Sequence, residues 1–184
     1  SVAIRLFNNS QAFILDEMQK KGLRVVAIGK IGDIFSGRGI TEAVHTRNNM
    51  DGMKVTIEFL KETGRGLIFT NLVDFDMIYG HRNNAEGYKK ALEEFDMKLP
   101  ELISKLSRND LLIITADHGC DPVTPSTDHS REYVPLLVYG KSIAQGADLG
   151  TRTTFSDIAC TLADIFGIND DFQGESFYSA IDCE

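Results

Sequence analysis

Four short runs of branched apolar residues punctuate the chain: VVAIG (25–29), GLIFTNLV (66–73), DLLIITA (110–116) and YVPLLVYG (133–140). Each is bounded by turn-forming residues and is too short for a helix, which is the pattern of a buried strand. Between them the apolar positions follow the helical period instead. SQAFILDEMQKKG (10–22) gathers Phe13, Ile14 and Met18 and stops at Gly22, and NMDGMKVTIEFLKETG (49–64) gathers Val55, Ile57, Phe59 and Leu60 and stops at Gly64. A longer helical pattern runs from Asn84 to Ser107 and contains Pro100. Proline lacks the N–H and crowds the preceding turn, so a kink or a division into two helices is expected there. TTFSDIACTLADIFG (153–167) opens with Thr154 and Asp157 at the spacing of a capping box. Strands alternating with helices predict an α/β fold: a mostly parallel sheet with helices on both faces.

Composition sets bounds on this picture without changing it. The 184 residues are 42% hydrophobic and 25% charged, enough for one domain with a sizeable core. A net charge of −8 argues against a nucleic-acid partner, which needs a basic patch to neutralise phosphates. No apolar run reaches membrane-spanning length and SVAIRLFNNSQ (1–11) lacks the layout of a signal peptide, so no membrane partner and a cytoplasmic location are expected. Cys120, Cys160 and Cys183 are odd in number and without CxxC spacing, which points to free thiols rather than a disulfide framework or a structural zinc site.

The chemistry lies where the strands end. In NLVDFDMIYGHRNN (71–84) an apolar run gives way to Asp74, Asp76 and His81. In TADHGCDP (115–122) another run delivers the adjacent pair Asp117 and His118, and TDHSREYVP (127–135) puts His129 ahead of the last run. Open parallel sheets bind ligands beyond the carboxyl ends of their strands, and three of the four histidines follow or precede strands at what could be one edge. Carboxylates mixed with neutral imidazoles, without thiolate, suit manganese, zinc or a similar divalent ion. Two ions roughly 4 Å apart could hold the attacking and leaving oxygens of a phosphoryl transfer. Asp74 is read as a supporting or turn residue, Asp121 and Asp128 as turn residues, and His45 as an ordinary surface histidine. Lys30, at the end of the first strand, is placed to meet an anionic substrate. No phosphate-binding GxxxxGK[ST] loop, GxGxxG fingerprint or GxSxG elbow occurs.

DFDMIYGHR (74–82), TADHGCDP (115–122) and TDHSREYVPLL (127–137) resemble the carboxyl-terminal metal motifs of the phosphopentomutase family, within the alkaline phosphatase superfamily. IGKIGDIFSGRGITE (28–42) and NNMDGM (48–53) resemble the same family, so the likeness runs from about residue 10 to the end. The resemblance implies an isomerase that interconverts ribose 1-phosphate and ribose 5-phosphate, and their deoxyribose equivalents, with two Mn2+ or other divalent ions and a sugar bisphosphate activator. Asp76, His81 and His129 would hold one ion, and Asp117 and His118 would help hold the other. Lys30 matches a lysine that approaches the sugar phosphate. The family's reaction passes through a phosphothreonine on a segment that this sequence does not match. The resemblance therefore places residues 1–10 at a cap junction and 11–184 in an alkaline phosphatase-like core that is incomplete on its amino-terminal side. An inactive metal-binding fragment, self-associating through exposed core surface, is the expectation for the chain alone. Cofactor-independent phosphoglycerate mutases share the Asp-His and His logic in different surroundings and form the alternative.

Overall fold

The computed structural model describes residues 13–62, 64–169 and 172–183; the segment 1–10 assigned to a cap junction lies outside them. In chain order the described elements are α1 (Ile14–Lys20), β1 (Arg24–Ile28), α2 (Ile31–Ile34), β2 (Glu42–Val44), α3 (Asn49–Phe59), β3 (Gly66–Thr70), α4 (Ala85–Lys105), β4 (Leu111–Thr115), β5 (Leu136–Gly140), α5 (Ser156–Phe166) and α6 (Tyr178–Ile181). Between β3 and α4 lie a π-helical turn, Phe75–Tyr79, and a 3-10 turn, Gly80–Arg82.

β1 is the centre of a parallel sheet ordered β2-β1-β3, with Val26 opposite Glu42 on one side and Ile68 on the other. Its residues Val25 to Ile28 are all buried because both faces are covered. On one face Val25, Leu67 and Phe69 pack against Leu15 and Met18 of α1 and Ala163 of α5. On the other, Val26, Ile28 and Ile68 meet Val55 and Phe59 of α3. A third cluster joins Met53 and Ile57 of α3 to Leu102 of α4, Leu106 and Leu112 of β4.

The α/β fold with a parallel sheet and helices on both faces is thus present, with one addition. β4 and β5 pair antiparallel with each other, from Leu111 opposite Gly140 to Thr115 opposite Leu136, as a separate two-stranded sheet. Tyr133, Val134 and Pro135, expected in the last strand, stay outside it. Proline has no N–H for a ladder, and Tyr133 is 88% exposed. Among the described residues β3 pairs only with β1 and β4 only with β5, so each keeps one open edge.

Helix ends separate the correct expectations from the others. α1 does stop at Gly22: φ is +72° there, Gly22 N–H donates to Gln19 and Leu23 N–H to Met18, and Leu23 packs on Met18. α3 ends at Phe59, ahead of the expected Gly64. α4 is one helix, continuous through Pro100, rather than two. Its inner side, including Phe95 and Leu102, packs on Met53 and Ile57, and this burial outweighs the hydrogen bond that proline removes. The capping box at α5 does not form as drawn. Thr154 Oγ1 accepts from Ser156 N–H, while Asp157 turns away to Arg152 Nε at 2.6 Å and to Glu175 N–H at 2.8 Å.

Candidate metal centre

The site is assembled where β3 and β4 run out. After Thr70 the chain turns at Asp74 into the five-residue π-helical turn, which buries Asp76, and the following 3-10 turn carries His81. Widened π turns are uncommon and concentrate at functional sites, because they aim side chains that a regular helix would misdirect. β4 ends at Thr115, two residues before Asp117 and three before His118. A single bridge between Gly119 and Ser130 folds the next loop back, which brings His129 over the same point.

Asp76 Oδ1 is the focus of the arrangement. It is buried, and no donor reaches it in hydrogen-bonding geometry. Three imidazole Nε2 atoms nevertheless surround it: His81 at 3.3 Å, His129 at 3.5 Å and His118 at 4.0 Å. The rings of His118 and His129 stack at 3.6 Å between centroids, and His81 lies 5.0 Å from His129. Asp117 is buried beside them, with His118 Nε2 3.5 Å from its Oδ1.

Two further contacts set the chemistry of the rings. His81 Nδ1 is 2.6 Å from the carbonyl of Thr127, and His118 Nδ1 is 3.0 Å from that of Gly119. A carbonyl only accepts, so each Nδ1 carries a proton, which leaves Nε2, on the side of Asp76, as the nitrogen able to ligate an ion. This is the outer contact that metal-bound histidines use to fix tautomer and orientation. One ligand atom each from Asp76, His81 and His129 lies within 4.8 Å of the others. Donors about 2.0–2.2 Å from an ion stand about 3–4.4 Å from one another, and the 3.3 Å and 3.5 Å from Asp76 Oδ1 to the two Nε2 atoms lie in that range, so this group fits a divalent cation. Such an ion would also satisfy an acceptor whose burial is otherwise costly.

The remaining residues take clear places. Lys30 follows Gly29 at the end of β1, and its Nζ contacts Met77 Sδ on the π turn, beside Asp76 in sequence. Asp121 Oδ1 accepts from Val123 N–H, as a turn former does. His45 is exposed and 4.0 Å from Asp33. Cys120 packs its Sγ against the backbone of Gly80. Burial, and then the Asp76 carboxylate, pushes this thiol up, which keeps it protonated and unlike a thiolate ligand. The phenol of Tyr88 is pushed up by burial first, then by its neighbours Cys120 and Asp76. Asn49 had no role in the sequence reading although it stands in NNMDGM. It exchanges hydrogen bonds with Asp74, Asn49 N–H to Asp74 Oδ2 at 2.8 Å and Asp74 N–H to Asn49 Oδ1 at 2.9 Å.

Strand ends that converge carboxylates and imidazoles on one buried point give this α/β domain a candidate metal site. The chain belongs to the Metalloenzyme superfamily, whose profile matches residues 15–170. It is 57% identical over 168 residues to a phosphopentomutase of Acetivibrio thermocellus and 59% identical over 168 residues to one of Carboxydothermus hydrogenoformans. Each match takes in 91% of this chain and 43% of the relative, so the chain spans well under half the length of these proteins. A phosphoglycerate mutase of Leishmania mexicana shares the fold with a TM-score of 0.68 at 20% identity, over 88% of this chain and 38% of that one. The PH0037 protein of Pyrococcus horikoshii aligns with a TM-score of 0.61 at 18% identity, over 85% and 53%. No described helix is long and apolar enough to cross a membrane.

Proposed function

We propose that this chain carries the metal-binding part of a phosphopentomutase, an isomerase that interconverts ribose 1-phosphate and ribose 5-phosphate and their deoxyribose equivalents in the cytoplasm. The observation that carries the chemistry is the buried, donorless Asp76 Oδ1 encircled by imidazole nitrogens. The substrate class rests on the phosphopentomutase relatives and on the motifs shared with that family. Asp76, His81 and His129 hold one Mn2+, and Asp117 and His118 contribute to a second. When bound, such ions stabilise the negative charge that develops on a transferring phosphoryl group and on the oxygens it leaves and joins.

The chain's own residues prepare the site for that charge. Thr127 and Gly119 carbonyls hold a proton on Nδ1 of His81 and His118, which orients each ring and leaves Nε2 as the ligand atom. Lys30, on the neighbouring strand end, supplies a positive charge for the sugar phosphate in an otherwise acidic chain. The threonine that takes the phosphoryl group lies outside these 184 residues in this reading. The isolated chain therefore binds metal without turning over substrate, and the open edges of β3 and β4 favour self-association.

The test is a paired assay on the purified chain with Mn2+ and a sugar bisphosphate activator, using ribose 5-phosphate and, separately, 3-phosphoglycerate. Bound metal with no turnover of either is expected, and addition of the remaining portion of a phosphopentomutase relative should restore ribose 1-phosphate formation only. Turnover of ribose 5-phosphate by the chain alone would place the nucleophile within it. Restored turnover of 3-phosphoglycerate would move the assignment to the phosphoglycerate mutases.

A further inference from the structure

The π turn that carries Asp76 is held by apolar packing on one side only. Its residues Ile78 and Tyr79 border a cavity of about 280 Å³, together with Asn48 and Asn49 at the start of α3 and Ala91 and Glu94 of α4. Met77 and Ile78 are each close to half exposed, at 45% and 46%, so neither locks the turn by packing. Phe75 sets its ring against Tyr88 at 5.4 Å and Tyr79 lies against Gly87 of α4, so apolar contact holds the turn to α4 and leaves its placement relative to α3 to polar contacts.

The reciprocal pair of hydrogen bonds between Asn49 and Asp74 meets that need. Both residues are buried, at 4% and 8% exposure. Asp74 is the residue from which the π turn starts, two positions before Asp76. Asn49 is the first residue of α3, where a helix leaves N–H groups without intrahelical partners and where its dipole favours a carboxylate. Asn48 caps the same helix by accepting from Asp51 N–H at 2.8 Å, so Asn49 N–H is left for Asp74. Two antiparallel bonds, one to each backbone N–H, define both the distance and the rotation of the turn relative to α3.

We infer that the Asn49–Asp74 pair is a positioning clamp for the metal centre: it anchors the π turn to the start of α3 and so sets Asp76 Oδ1 opposite the imidazoles of His81 and His129. The inference rests on the metal-binding reading above. Asp74 and Asn49 act through Asp76, not on the ion itself. A clamp of this kind predicts that the hydrogen bonds matter more than the charge of Asp74, since an asparagine there still offers an oxygen to Asn49 N–H.

The test measures Mn2+ dissociation constants by calorimetry, and the electron paramagnetic resonance spectrum of the bound ion, on the full 184-residue chain. Asp74→Ala should weaken binding about 10- to 100-fold, the range found when outer contacts of metal ligands are removed, and should broaden the spectrum. Asn49→Ala likewise loses one bond of the two, because each alanine keeps its own backbone N–H, and should weaken binding to a similar degree. Asp74→Asn should recover most of the affinity. Ile57→Ala, a buried change on α3 away from the clamp, serves as the stability control: its denaturation midpoint should drop at least as far while Mn2+ affinity stays within about twofold. Equal losses of affinity in Asp74→Asn and Asp74→Ala, or in Ile57→Ala and Asp74→Ala, overturn the clamp. A wild-type chain that binds no Mn2+ overturns the metal-binding reading and the clamp with it.

Discussion

Gly80 separates the two metal-bearing turns, and its replacement by alanine tests the packing beneath the site. Its φ and ψ are −62° and −62°, so alanine meets no backbone penalty, and helix propensity alone would favour it by about 1 kcal/mol. Space decides the outcome. A Cβ built on Gly80 stands 2.5 Å from Cys120 Sγ, 3.1 Å from the Phe75 carbonyl oxygen and 3.7 Å from Asp76 Oδ1. Nonbonded carbon contacts settle at about 3.5–4.0 Å, so the sulfur must give by about 1 Å, and the short cysteine side chain has little freedom to do so. A clash this deep against so short a side chain falls in the upper part of the range for overpacking, about 2–3 kcal/mol, which leaves a net loss of about 1–2 kcal/mol after the propensity gain. In a chain of this size that lowers Tm by about 2–8 °C. Urea unfolding followed by circular dichroism would measure it, in the wild type, Gly80→Ala, Cys120→Ala and the double variant. Removing the sulfur should relieve the clash, giving a coupling of about 1 kcal/mol or more. Mn2+ affinity should fall in Gly80→Ala, because Asp76 and His81 flank the strained point, and return in the double variant. Unchanged stability in Gly80→Ala, or the same loss with and without Cys120, would refute the geometry.

Three other substitutions probe the frame around the site. Gly29→Ala places a Cβ 2.5 Å from the Asn71 carbonyl oxygen at a residue with φ of +79°, so strain and clash add, and a loss of about 2 kcal/mol or more is expected in the same unfolding assay. Asp157→Ala removes the partner of Arg152 and the acceptor of Glu175 N–H; a loss of about 3 kcal/mol is expected, with hydrogen exchange at Glu175 accelerating. Lys30→Ala should leave Mn2+ affinity within about twofold while weakening ribose 5-phosphate binding to the Mn2+-loaded chain, measured by calorimetry.

The parallel sheet was legible in the sequence because VVAIG and GLIFT are continuous apolar runs, the pattern of strands covered on both faces, which β1 is fully and β3 in part. The pairing of β4 with β5 was not, since a run such as LLIIT carries no mark of its neighbour's direction. Pro100 left a kink and a division into two helices both open, because local proline chemistry allows either, and it is Phe95 and Leu102 that keep α4 undivided through contacts distant in sequence. In the site, Asp76, His81, Asp117, His118 and His129 could be picked out from their places at strand ends. The tautomers could not, because they depend on the carbonyls of Thr127 and Gly119 reached only after folding. Asn49 escaped notice because nothing in NNMDGM distinguishes an asparagine that caps its own helix from one that reaches a turn 25 residues away.

The central claim is that Asp76, His81 and His129 form a metal site, and metal content tests it most directly. The purified chain is loaded with Mn2+, dialysed, and assayed by mass spectrometry beside His129→Ala, with circular dichroism confirming that both are folded. Retention of about one equivalent by the wild-type chain, and a small fraction of that by His129→Ala, is the result the geometry predicts. A folded wild-type chain that keeps no metal, or a His129→Ala variant that keeps as much, would contradict it.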